Sequence, residues 1–408
     1  MCYPILSAIY IIFGNIFYKY FYNDKITAFK YDNLQDYPFV TIVISAHNEN
    51  DTIEETLDYL ENRINYINYE IIMVDDGSND DTLKIALEFQ KKYSNLRIIH
   101  VEKNAGKAHA LNVSLGFAKG ELILSNDADT LPEADALVKY VQYFQGIKNR
   151  NVGGVTGNMD VLNRNNVISK SQIIEFTSIV SGIKRTQSAT SDNMYAFSGA
   201  NTMYRKDALI DVGGFRQNRA TEDISIAWDM FYHSWQTKFA PDIVFKMIVP
   251  ENMKNLYRQR KRWSQGGTEV LLSNFTRMFI NPIVMFKNIP LFFDEIFSFS
   301  WTFLLVFTSI IMVFTNIYYL STGQFDNLFW LWLCNMILVC IEFIMGILQL
   351  LVSLHYDQQG IKMRYFGFSP VYISFLWLVN PFALLVTFPK ACNVVFYGHS
   401  SGTWKSPR

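Results

Sequence analysis

Leu122-Ile123-Leu124-Ser125-Asn126-Asp127-Ala128-Asp129 is the stretch that decides how the rest of this chain is read. An apolar run ends in two carboxylates at i and i+2, a pattern that packing alone does not call for. Carboxylate oxygens are the hard ligands that Mg2+ or Mn2+ prefers, and a metal held by few carboxylates keeps coordination positions open for substrate oxygens. A solvated turn is the competing reading, because Asp is common in turns. The surrounding sequence weighs between them.

Upstream, apolar and helical stretches alternate. Phe39 to Ser45 is followed by Ile53 to Leu60, Tyr69 to Val74 by Thr82 to Tyr93, and Leu96 to Val101 by Ala108 to Phe117; Glu121 to Ser125 then returns to strand character. Alternation of this kind predicts an α/β, Rossmann-like domain with a mostly parallel sheet. Polar residues cluster just past the strand ends: Ala46-His47-Asn48-Glu49, Asp75-Asp76-Gly77-Ser78, Lys103-Asn104-Ala105-Gly106-Lys107 and Asp127-Ala128-Asp129. Ligands of open α/β sheets bind beyond the carboxyl ends of the strands, so four clusters on one edge describe one pocket.

The chemistry of that pocket is specific. Asp75 and Asp76 can hydrogen-bond a nucleobase or ribose, and Lys107, opening a helix after a Gly-containing loop, suits phosphate oxygens. With a metal at Asp127 and Asp129, these make a nucleoside-diphosphate site. Neither a GxGxxG fingerprint nor a Walker pattern is present, which leaves dinucleotide hydride transfer and P-loop hydrolysis without support.

Two more clusters follow downstream. Thr221-Glu222-Asp223 precedes the helical run Ile224 to Phe231 and reads either as a helix cap or as functional acids. Gln259-Arg260-Lys261-Arg262-Trp263 reads either as a basic helix face, solvated or against anionic lipid, or as a site where an indole packs a sugar and arginines bind a diphosphate.

Taken in order, Asp75-Asp76-Gly77-Ser78, Asn104-Ala105-Gly106-Lys107-Ala108, Asp127-Ala128-Asp129, Thr221-Glu222-Asp223 and Gln259-x-x-Arg262-Trp263 resemble the processive inverting family 2 glycosyltransferases, among them cellulose, chitin and hyaluronan synthases. Ile183-Lys184-Arg185-Thr186-Gln187, Thr221-Glu222-Asp223-Ile224-Ser225, Val249-Pro250-Glu251, Trp263-Ser264-Gln265-Gly266-Gly267 and Thr403-Trp404-Lys405-Ser406-Pro407 resemble most closely the bacterial poly-β-1,6-N-acetylglucosamine synthases of that family. The resemblance covers the chain from Thr41 to its end.

That resemblance implies a set of roles. Asp75 and Asp76 would recognise uridine, Lys107 the diphosphate, and Asp127 and Asp129 the UDP and its Mg2+ or Mn2+, with Glu49 also on the donor side. Asp223 would be the general base. Gln259 and Trp263 would hold the terminal sugar of a growing polysaccharide, and Arg262 would face the diphosphate, with Glu222 beside them. One base opposite the leaving group inverts an α-linked donor to a β-linkage. The resemblance also implies a small membrane accessory protein as a partner. A synthase of hyaluronan or another capsule polymer is the nearest alternative, and a non-catalytic transporter or scaffold the most distant.

Composition agrees. Half of the residues are hydrophobic and the net charge is −1, which excludes a basic nucleic-acid binder and a disordered acidic tail. The apolar residues concentrate at Pro4 to Tyr22, Phe297 to Leu320, Leu328 to Leu354 and Val371 to Phe388, each near the roughly 20 residues that a spanning helix needs. A signal peptide carries its basic residues before the apolar run, whereas Lys19, Lys25 and Lys30 lie at or after the end of the first segment. A retained anchor with its amino end outside is therefore expected, and a cytoplasmic catalytic region. Lys362 and Arg364 after the third segment agree, whereas Lys390, Lys405 and Arg408 vote against the outside position that counting assigns to the tail. Asn380-Pro381 predicts a broken or re-entrant last segment.

The expected organisation is an anchor at 1–24, a cytoplasmic glycosyltransferase domain at 37–274, an interfacial helix region at 275–296, a membrane region at 297–390 with about three apolar segments, and a tail at 391–408. Ile173, Phe176, Val180 and Ile183 share a helical face beside Lys184 and Arg185, and Asn281 to Phe293 repeats the pattern; either can face the core or a bilayer, and the resemblance favours the bilayer surface. Cys2, Cys334, Cys340 and Cys392 all lie in or beside apolar segments, which excludes a disulfide framework. His109 reads as a helix-surface residue near phosphate reach. Glu342, costly in lipid, reads as a bundle-interior or a snorkelling group.

Overall fold

Uninterrupted apolar runs become strands buried on both faces. In a computed structural model that describes residues 3–22, 34, 36–280, 289–357 and 361–398, every residue of β1 (Val40–Ala46) is buried, as is nearly all of β2 (Tyr69–Asp76). Ile42 and Ile44 point to one face with Leu57, Leu60 and Leu124, while Val43 points to the other with Leu111, Ile123 and Ile226. Burying each such side chain contributes about 1.5–3 kcal/mol.

These two strands pair in parallel with β3 (Leu96–Val101) and β4 (Leu122–Asp127), and the crossovers are α2 (Ile53–Arg63), α3 (Thr82–Gln90) and α4 (Lys107–Phe117). An apolar helix, α1 (Tyr3–Phe17), extended by a π turn at Tyr18–Tyr22, precedes them.

The second half of the sheet departs from the expected parallel pattern. The order is β3-β2-β1-β4-β7-β6-β8-β5, adding β5 (Thr130–Pro132), β6 (Val152–Val161), β7 (Asn201–Arg205) and β8 (Gln236–Met247). β7 runs antiparallel to both β4 and β6, and β5 antiparallel to β8; only β6 and β8 are parallel, with register shifts near Gly154 and Gly157. The sheet is mixed because its second half is not built from βα crossovers: α5 (Ala136–Phe144) leads into β6, and β7 returns from a long helical excursion.

That excursion is α6 (Val167–Ile174), a π turn at Glu175–Val180 and α7 (Ser181–Ser191). Ile173 and Phe176 are buried, and so are Lys184 and Arg185, which corrects the expected lipid-facing stripe. Arg185 donates to Asn15 Oδ1 (2.7 Å) on α1 and to the Ser353 carbonyl (2.9 Å) at the far end of the membrane region. The helix packs on the chain's own membrane helices because a guanidinium finds buried acceptors there.

After α8 (Lys206–Asp211) and α9 (Glu222–Tyr232), α10 (Met253–Ile280) runs past the expected domain edge at 274. α11 (Ile289–Ser321), α12 (Phe325–His355) and α13 (Trp377–Tyr397) follow. The 289–296 part of the expected interfacial region is thus the start of α11, and 391–397 belong to α13 and not to a tail. Most of the Asn281 to Phe293 stretch, Cys2 and the terminal motif from Thr403 lie outside the described residues.

Among the described residues, four helices are long and apolar enough to cross a membrane: Tyr3–Phe21, Leu291–Ser321, Phe325–His355 and Lys362–Tyr397. A 31-residue helix is about 46 Å long against a hydrocarbon core of about 30 Å, leaving room for tilt or for ends in the headgroups. Glu342 sits mid-way along α12, and its Oε1 has no hydrogen-bond partner among the described residues.

α13 is not broken at Asn380-Pro381: the helix continues through Pro381 and Pro389, preceded by a π turn at Tyr372–Leu376. It packs along α10. Trp377 meets Trp301, and Phe388 meets Phe299 and Phe303. About 16 Å of α13 therefore contacts about 6 Å of α11, so the two helices cross steeply.

Candidate active site

The parallel register brings the strand ends to one edge, with Ala46 opposite Asp75 and Ser45 opposite Asp127. Past the end of β4 the chain turns at Ala128-Asp129: Ala128 is buried in the core, while Asp127 and Asp129 are part-exposed and line the cavity. Thr56 donates to the Ala128 carbonyl (2.7 Å) and pins the turn. Asp129 accepts from the Thr130 hydroxyl (3.1 Å). These two carboxylates are hard oxygen donors, and they fit a divalent cation, which would keep its remaining positions for other oxygen ligands. Among the described residues no group of three or more His, Cys, Asp or Glu is placed to hold a metal.

Lys107 begins α4 behind Gly106, whose φ of +96° is open to glycine and strained for other residues. Asp76 holds this loop: its carboxylate accepts from the N–H groups of Ala105 (3.0 Å) and Gly106 (2.7 Å). Asp75 Oδ2 is paired with His100 Nδ1 at 2.8 Å. Both acids are buried and neither lines the cavity, and Asp75 Oδ1 has no hydrogen-bond partner among the described residues. Glu49, at the mouth of β1, does line the cavity. His109, two residues after Lys107, does not.

The Lys107 ammonium bonds Asp127, the Gly199 carbonyl (3.1 Å) and Glu222 Oε1 (3.3 Å). Burial opposes its charge, but Asp127 and Glu222 outweigh that cost and hold it protonated, above the usual lysine range.

Asp223 is in the first turn of α9. Its Oδ2 accepts from Gly199 N–H (2.9 Å) and its Oδ1 from Ile224 N–H (2.9 Å). Burial and the adjacent Glu222 carboxylate push it up to about 6, against Lys107 and those two N–H groups. A carboxylate in that range accepts a proton readily near neutral pH. Gly199 is at the centre of the group: a Cβ there would lie 2.7 Å from Glu222 Oε1 and 3.0 Å from Lys107 Nζ. Gly266 plays a matching part on α10, where a Cβ would meet Thr221 Oγ1 at 2.2 Å, so the close approach of α10 to the start of α9 depends on glycine.

α10 supplies the opposite wall. Gln259 is buried, its Oε1 has no partner among the described residues, and Arg262 makes no hydrogen bond or ion pair with a described residue; both line the cavity. Trp263 is held edge-on to Phe176 (6.4 Å), with the Arg260 guanidinium 4.2 Å from its ring centroid. Arg260 is in turn bound to Glu175 (2.7 Å), and both are buried.

One cavity of about 710 Å3 joins these parts. Glu49, Lys107, Asp127, Asp129, Glu222, Asp223, Gln259, Arg262 and Trp263 all line it; Asp75 and Asp76 do not. Sequence reasoning missed Gly199, Ser198 and Glu175, and it read Arg260 as a diphosphate ligand where the structure pairs it with Glu175. The run Phe197-Ser198-Gly199-Ala200, small residues before a strand, was the one available signal for the first two.

Residues 41–213 match the description Glycosyl transferase family 2. Over 99% of this chain and 96% of the relative, the sequence is 32% identical to a poly-β-1,6-N-acetyl-D-glucosamine synthase of Staphylococcus epidermidis. This chain belongs to the family 2 glycosyltransferases. A second relative of this glycosyltransferase, the poly-β-1,6-N-acetyl-D-glucosamine synthase of Staphylococcus aureus strain MSSA476, is 30% identical over 99% of this chain and 96% of its own. Among solved structures, a mannosyltransferase from Pyrobaculum calidifontis in complex with GDP-Man and Mn2+ superposes with a TM-score of 0.56 at 18% identity, covering 95% of this chain and 97% of that one. At that identity the likeness shows a shared fold for the family 2 glycosyltransferase.

Proposed function

We propose that this protein is a membrane-embedded, processive, inverting β-glycosyltransferase that polymerises N-acetylglucosamine from UDP-N-acetylglucosamine into poly-β-1,6-N-acetylglucosamine, a biofilm exopolysaccharide, and threads it through its own membrane helices. The observation that carries this is the end-to-end similarity to synthases of that polymer, with the proposed base, cations and indole all lining one cavity.

The acceptor hydroxyl attacks the anomeric carbon as Asp223 takes its proton. The bond from that carbon to the UDP oxygen breaks on the opposite face, and UDP departs with the electron pair; a single displacement turns an α-linked donor into a β-linkage. Lys107 and Arg262 neutralise the leaving diphosphate. Asp127 and Asp129 would hold Mg2+ or Mn2+, which would supply Lewis-acid stabilisation of the same charge. Asp76 acts by fixing the loop that aims Lys107, and Trp263 offers a face to the terminal sugar.

A multi-pass arrangement with a cytoplasmic catalytic domain fits the helix directions. The carboxyl ends of α1 and α12 meet at Arg185, where Asn15 and Ser353 share its guanidinium, so both helices run toward the catalytic domain. A small membrane accessory protein remains part of the proposal. The test is to supply purified protein in proteoliposomes with each UDP-sugar and digest the product. Sensitivity to a β-1,6-N-acetylglucosaminidase is the expected result. A product cut by hyaluronidase instead moves the assignment to a related synthase, and no transfer at all supports a scaffold.

A further inference from the structure

The stretch Ile183-Lys184-Arg185 has no place in the mechanism above, although Lys184 lines the catalytic cavity. Straight helical spacing from Phe176 and Val180 leads to Ile183 as the next residue on that face. The π turn at Glu175–Val180 takes in one extra residue per turn, which rotates everything after it by about 100° and brings Lys184 to the position where Ile183 was expected. Phe176, Val180 and Lys184 accordingly line the cavity, and Ile183 does not. Single π turns recur at functional sites because they cost helix stability and persist only where the re-aimed side chain is used.

Lys184 is buried, with 7% of its surface exposed. Its Nζ donates to one acceptor, the Ser198 hydroxyl, at 2.5 Å, and stands 5.9 Å from the Phe239 ring centroid. An ammonium carries three N–H donors. Two of them have no acceptor among the described residues, and a buried donor left unmade is costly. Ser198 and Gly199 are consecutive, and Gly199 N–H holds Asp223 at 2.9 Å. One peptide unit therefore anchors both Lys184 and the proposed base.

The wall around Lys184 separates two kinds of ligand. Lys107 and Arg262, together with Asp127 and Asp129, attend to the diphosphate, whereas Met159, Phe176, Val180 and Trp263 form an apolar cluster on the other side. A sugar seated on that cluster presents neutral hydroxyl and acetamido oxygens.

We propose that Lys184 is a substrate-binding residue of the acceptor site, donating hydrogen bonds to neutral oxygens of the terminal N-acetylhexosamine and holding the attacking hydroxyl against Asp223. This rests on the synthase reading of the site. Burial lowers the Lys184 ammonium to about 8, with Asp223 opposing, so the donor stays predominantly charged at neutral pH.

The experiment uses the full-length protein in proteoliposomes, with UDP-N-acetylglucosamine as donor and a short β-1,6-linked N-acetylglucosamine oligosaccharide as acceptor. Oligosaccharide binding to the UDP-loaded protein is read separately from polymer formation, so a failure of the synthase reading and a failure of Lys184 are distinguishable. Lys184→Met is expected to weaken oligosaccharide binding by about tenfold to a hundredfold, the worth of one or two charged hydrogen bonds. UDP affinity should stay within about twofold, which also reports that the variant folds. Lys184→Arg should recover part of the loss, and Ser198→Ala should lose less than Lys184→Met. Unchanged oligosaccharide binding in Lys184→Met overturns the proposal, as does a parallel fall in UDP affinity, which would place the ammonium on the donor.

Discussion

The two halves of the cavity are built in opposite ways. On the donor side, Lys107, Asp127 and Asp129 leave the ends of regular parallel strands, and each is aimed by groups within a residue or two of a strand terminus. On the acceptor side, Lys184, Gln259 and Trp263 come from helices whose order depends on distant partners: Glu175 for Arg260, and Asn15 with Ser353 for Arg185. Nucleotide binding can thus be set within the α/β domain alone. The proposed acceptor side is tied to the membrane helices, which suits the proposal that the product passes into them.

Substitutions can break that division, and the largest effect is expected where the halves meet. Asp223→Asn should lower polymer synthesis by ~10²–10⁴ while UDP binding, measured by titration, stays nearly intact. Near-normal synthesis would remove Asp223 as the base. Chelation attacks the donor half alone: EDTA should cost about 10²-fold or more, with Mg2+ or Mn2+ restoring the rate, and Asp129→Ala should not be restored. Activity that survives chelation would leave the phosphate charge to Lys107 and Arg262.

Trp263→Ala attacks the acceptor half. Polymer should shorten or vanish while hydrolysis of the UDP-sugar to UDP and free sugar continues, read as UDP release alongside product length. Full-length polymer would take the indole out of the acceptor site. The smallest effect is with pH. Asp223 must be ionised to accept a proton and sits at about 6, so the rate should fall by up to about tenfold per unit as pH drops below that value and level off above it. Lys107, held above the usual range, stays charged across the same window.

Much of the donor half was legible because its information is local. An apolar run predicts a strand, a polar cluster after it predicts a sheet edge, and parallel pairing does the rest: Asp127 and Lys107, 20 residues apart, meet because β1, β2, β3 and β4 end on the same side. Asp75 and Asp76 show what spacing alone leaves out: two backbone N–H groups hold Asp76, and His100 holds one oxygen of Asp75, while Asp75 Oδ1 has no partner among the described residues.

The sequence by itself determined the parallel half of the sheet, the acids and lysine at its edge, the apolar helices and the family, since each depends on residue type and short spacing. Tertiary structure alone decided the antiparallel half of the sheet, the continuity of α13 through Pro381, the burial of Arg185 and the turning of Lys184 into the cavity. Those outcomes depend on groups brought together from far along the chain: acceptors on α1 and α12 for a guanidinium, and a π turn that shifts a helical face by one residue. No local pattern encodes a partner that lies 170 residues away.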